Sequence, residues 1–67
     1  MQQKVMKVNM AKAQNFIMFL TRINMVDDIV TIIRHDGDPM LEYTIDITGK
    51  EYQEKMLQMA EDNKDFA

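Results

Sequence analysis

The chain has no cysteine and no tryptophan, one histidine, one proline and two glycines among its 67 residues. Without cysteine there are no disulfides and no thiolate metal sites. The same absence fits a reducing compartment, so a cytoplasmic location is the expectation. With His35 alone, no imidazole pair exists to anchor zinc. The longest near-apolar run, "FIMFL" at 16–20, is far shorter than the ~20 residues that span a bilayer, so no membrane association is expected. The lysines of "MQQKVMKVN" lead into no long apolar segment or cleavage site of a secretory signal.

What is present is an apolar content of 46%, enough for a folded core. A chain this short hides only about 60% of its unfolded surface, so its stability is marginal without help. With disulfides excluded, self-association or partner binding is the remaining aid. Charge is unevenly distributed. Residues 1–34 carry Lys4, Lys7, Lys12, Arg22 and Arg34 against Asp27 and Asp28, a net +3. Residues 35–67 carry Lys50, Lys55 and Lys64 against nine carboxylates, a net −6. Such polarity steers basic partners or lets copies associate head to tail.

Hydrophobic periodicity predicts five elements in one domain spanning residues 1–67, with 1–3 and 64–67 frayed. Met6, Val8 and Met10 alternate in a strand over 4–10. Ala13, Phe16, Ile17, Leu20 and Ile23 then fall at helical spacing over 11–23, with Asn9 to cap the start and Asn24 to end it. "DIVTIIRH" (28–35) is rich in β-branched residues and apolar on both faces. That pattern means a strand covered on both sides, centrally placed, or exposing a patch. "MLEYTIDIT" (40–48) alternates, with Leu41, Tyr43, Ile45 and Ile47 inward. A second helix over 48–66 opens on the capping box Thr48–Glu51 and turns Tyr52, Met56, Met59 and Ala60 inward. Surface pairs Lys50–Glu54 and Glu51–Lys55 accompany it at i,i+4.

The order β-α-β-β-α predicts an α+β fold. Its three-stranded sheet has strand order 1-3-2 and is covered on one face by two helices. The alternatives are a parallel pairing of the first two strands through a helical crossover, or an α-β-β-α chain in which 4–10 is helical. Ferredoxin-like domains and the first part of phosphocarrier domains share the element order. This chain has neither a histidine at the start of its first helix nor the aromatic sheet residues of an RNA-recognition domain. No family follows from the order alone.

The stretch "RHDGDP" (34–39) gathers the only histidine and two carboxylates, Asp36 and Asp38. As a metal site it lacks a further ligand, and as a catalytic dyad it lacks a nucleophile and an oxyanion donor. A turn explains it better. Asp36 folds its carboxylate onto backbone N–H groups, Gly37 takes a positive φ, and Pro39 stops pairing before the next strand. No enzyme activity and no cofactor are therefore expected. The dispersed cations make a poor phosphate-binding footprint, so direct nucleic-acid binding is also disfavoured.

The remaining reading is a protein-interaction module, an inhibitor or adaptor of a larger protein, or a self-associating domain. Its candidate apolar contacts are Ile29, Ile33, Met25 and Met40. Met6, Met10, Met56 and Met59 are assigned to the core. Its candidate acidic surface comprises Asp38, Glu42, Asp46, Glu51, Glu54, Glu61 and Asp62. If these carboxylates share one face, the chain mimics nucleic acid on the basic site of a DNA-binding protein, a character found among small phage and mobile-element regulators.

Overall fold

A computed structural model describes all residues 1–67. Strand β1 (Gln3–Asn9) leads through a single 3-10 turn (Met10–Lys12) into helix α1 (Ala13–Arg22). After a second 3-10 turn (Val26–Asp28) come strand β2 (Ile29–Arg34), strand β3 (Met40–Asp46) and helix α2 (Glu51–Asp62). The sheet order is β1-β3-β2, with both outer strands antiparallel to the central β3. This is the expected α+β arrangement with order 1-3-2. No helix is long and apolar enough to cross a membrane.

Alternation along β1 and β3 selects the covered face. Met6 lies opposite Tyr43, Val8 opposite Leu41 and Lys4 opposite Ile45. Met6, Val8, Tyr43 and Ile45 are buried in one cluster with Phe16, Leu20 and Ile23 of the α1 region and Leu57 of α2. Both helices therefore lie on the same side of the sheet. Nothing covers the other side, where Val5, Lys7, Glu42, Thr44, Thr31 and Ile33 stand in register.

Local chemistry sets where α1 starts and stops. The Asn9 side chain accepts from the Ala11 N–H (2.9 Å), closing the turn that reverses the chain out of β1. At the other end Asn24 adopts φ 59°, the left-handed conformation that asparagine tolerates. Its N–H donates to Thr21 O (3.1 Å) while the Met25 N–H donates to Leu20 O (2.8 Å), the paired bonds of a Schellman stop. That motif brings Met25 over Leu20, and both are fully buried. Met25 therefore belongs to the core, which corrects its assignment as an exposed contact.

The hairpin between β2 and β3 is built as a turn, with one change of actor. Gly37 takes φ 77° and the Asp38 N–H donates to His35 O (3.0 Å), the pattern of a type II turn. The carboxylate that folds back is that of Asp38, not Asp36: its Oδ1 accepts from the Met40 N–H at 2.8 Å. Thr48 likewise departs from its expected role. Gly49 sits at φ 70°, so the chain is not yet helical and α2 begins at Glu51, with no side-chain cap. Thr48 Oγ1 accepts instead from the Gln2 N–H (2.8 Å), tying the start of the chain to the end of β3.

Helix α2 is rotated relative to the expected stripe. Leu57 is fully buried and Ala60 nearly so, whereas Tyr52 is 71% and Met59 62% exposed. The core assignment of Met59 is thus corrected, as is that of Met10, which lies at the surface; Met56 packs partly buried against the core. Neither i,i+4 ion pair forms. Lys50, just before α2, reaches Asp28 Oδ2 (2.6 Å) and Asn24 O (3.1 Å), joining the helix start to the connection before β2. At its far end α2 stops with Lys64 at φ 57°. The segment 64–67, expected to fray, places Phe66 against Phe16 and Phe19 (ring centroids 5.0 and 5.4 Å).

Candidate interaction surface

The side chains of "RHDGDP" do not converge. Asp38 is engaged by the Met40 N–H, and His35 Nε2 lies 3.5 Å from Glu42 Oε2 across the hairpin. No group of three or more His, Asp or Glu side chains is close enough to share an ion. The segment turns the chain from β2 into β3, with the Asp38 carboxylate and the His35 carbonyl holding the turn.

The seven acidic candidates fall into two groups on different layers. Glu42 and Asp46 stand on the uncovered face of β3, and Asp38 lies in the hairpin that precedes the strand. Glu51, Glu54, Glu61 and Asp62 lie along α2, on the opposite side of the sheet. Several already have partners inside the chain. Glu61 pairs with Lys4 Nζ (3.4 Å), and Asp62 accepts from Gln58 Nε2 (2.9 Å). Asp46 Oδ1 accepts from the Thr48 N–H (2.9 Å).

Thr48, through its hydroxyl and then its backbone N–H, holds the Asp46 carboxyl below the usual aspartate range. The sign of the linkage follows. A depressed folded pKa adds stability above the unfolded aspartate value, and that stability is lost as pH falls through the lower folded value. Asp46→Asn therefore lowers stability in the neutral range and flattens the acid limb below about pH 4, the two proteins converging as Asp46 becomes protonated. Urea titrations of both proteins between neutral and acid pH check this. An acid limb with the same slope in the variant refutes it.

The basic residues are equally dispersed. Lys4 is on the helix side of the sheet, where Nζ meets Gln58 Oε1 (3.0 Å), and Lys7 is on the uncovered side. Lys12 Nζ donates to Ala67 O (3.1 Å).

The apolar side chains left outside the core form a more coherent picture. Val30, Ile32 and Ile33 of β2 are each between two-fifths and about half exposed, and Ile29 is half-buried. Strand β2 is at the sheet edge, so its apolar character on both faces is explained by exposure, not by a central position. The uncovered face holds Ile33 opposite Glu42 and Thr31 opposite Thr44. Ile32 is on the helix side, yet the helices do not reach far enough to cover it. The register shifts between Ile29 and Thr31, so Val30 is a bulge and the regular ladder runs from Thr31 to Arg34.

Of the four apolar candidates from sequence, Ile33 is exposed, Ile29 and Met40 are half-buried and Met25 is internal. Sequence periodicity missed Val30 and Ile32, although the unbroken run "IVTII" signals both. It also missed a seam between the helices. Phe19, Met56 and Met59 line a shallow depression there, and Tyr52 with Arg22 lines the next. Comparison with known proteins finds no matching family model, no similar curated protein and no similar solved structure.

Proposed function

We propose that this chain is a protein-interaction module whose docking element is β2. The observation that carries the reading is the contrast between the two sheet edges. The β1 edge is blunted: Lys4 and Lys7 flank it, and the Asn9 N–H is already taken by Phe66 O (2.8 Å). The β2 edge has no lysine and no proline, exposes Val30, Ile32 and Ile33, and meets no other strand. Free edges of this composition pair with another strand unless they are protected.

The nucleic-acid mimic draws less support. A mimic needs its carboxylates on one face at phosphate-like spacing, and here they divide between the uncovered sheet and α2. An inhibitor or adaptor that binds a larger protein by strand addition uses the geometry better.

Site-specific photocrosslinking in cells producing the chain tests the proposal. A benzophenone side chain at Ile32 is expected to form discrete protein adducts, whereas the same group at Gln58, on the exposed acidic face of α2, forms few. Adducts confined to position 58 would overturn the assignment of β2.

A further inference from the structure

We infer that the partner of β2 is a second copy of this chain, paired antiparallel edge to edge so that two three-stranded sheets become one of six strands. The inference rests on the reading of β2 as the docking element and adds the identity of the occupant.

Charge decides both the occupant and the direction. The strand is neutral along Ile29–Ile33 and carries opposite charges at its ends, Asp27 and Asp28 before it and Arg34 at its close. Asp28 is engaged by Lys50 (2.6 Å), which leaves Asp27 exposed and without an ion pair. Arg34 is also exposed and has no carboxylate partner in its own chain. An antiparallel pair centred on Thr31 lays the Asp27 end of each copy beside the Arg34 end of the other. Thr31 then meets Thr31 on the uncovered face and Ile32 meets Val30, while the bulge turns Ile29 to the helix side, away from Ile33. A parallel pair would instead set Arg34 against Arg34.

The antiparallel arrangement is two-fold symmetric, so each favourable contact occurs twice and the assembly closes as a dimer. Apolar and threonine cross-strand neighbours are themselves stabilising pairs. The bulge at Val30 limits the regular ladder to Thr31–Arg34, which predicts a short interface and a modest affinity.

Sedimentation of the full chain over a concentration series reaching about 1 mM, where even a millimolar dimer is substantially formed, reads the result directly. The expected mass rises from 7.9 kDa toward twice that value. Ile32→Lys is expected to hold it at the single-chain mass. The lysine stem fits the half-exposed site, and an unchanged circular dichroism spectrum verifies the fold.

Arg34→Asp should weaken association roughly two- to thirtyfold, the range for two symmetry-related exposed ion pairs. Asp27→Arg in the same chain should restore it. A monomer at every concentration overturns self-pairing, while Ile32 crosslinks to a different protein would leave the interaction reading standing. A dimer that survives Ile32→Lys but is lost with Met59→Lys would place the contact at the helix seam and equally overturn the inference.

Discussion

Replacing Phe16 by alanine is expected to leave much of the chain unfolded at 25 °C. Phe16 is fully buried at the point where α1 meets the sheet. Its ring lies edge-on to Tyr43 (4.9 Å) and to Phe66 (5.0 Å), with Phe19 6.4 Å away. Removing a buried phenyl ring costs about 3–5 kcal/mol, the sum of lost transfer energy and the cavity left behind. A domain of this length has roughly 3–10 kcal/mol in total at typical stability per residue. The loss is therefore comparable to the whole. The same truncation at half-buried Phe19 costs less, because that ring already borders solvent. Urea unfolding followed by circular dichroism measures both variants, and a loss below about 1 kcal/mol at Phe16 would contradict its central place in the core.

The second large effect distinguishes two faces of one helix. Leu57→Ala is expected to destabilise by about 2–5 kcal/mol, since Leu57 is the fully buried side chain through which α2 meets the sheet. Met59→Ala, two residues on, is expected to stay within about 0.5 kcal/mol, since Met59 projects into solvent. The pair of midpoints tests the rotation of α2. Equal losses, or a larger loss at Met59, would mean that the helix presents the stripe read from periodicity instead.

That stripe shows where sequence reasoning runs out. Two candidate faces existed on α2, one through Tyr52, Met56, Met59 and Ala60 and one through Met56, Leu57 and Ala60. They share Met56 and Ala60 and differ by a small rotation. A helix that touches its sheet along a narrow line has no internal reason to choose between them. The capping box at Thr48 failed for a different reason: Gly49 at positive φ interrupts the helical path that the motif requires. The acidic residues were legible as a list but not as a surface, because whether carboxylates share a face depends on which layer each element enters.

Other parts were legible because their causes are local. Alternation over β1 and β3, the helical stripe of α1, the hairpin at Gly37 and the stop at Asn24 all follow from residues within a few positions of one another. These local signals, with the need to bury one face of the sheet, were sufficient to determine the element order and to favour strand order 1-3-2.

Only the tertiary structure decided that Leu57 and not Met59 faces the sheet and that β2 stands unprotected at the edge. Each depends on where two helices of limited length come to rest over three strands. Burial is a property of the assembled layers, and short elements leave some apolar side chains beyond the reach of any cover.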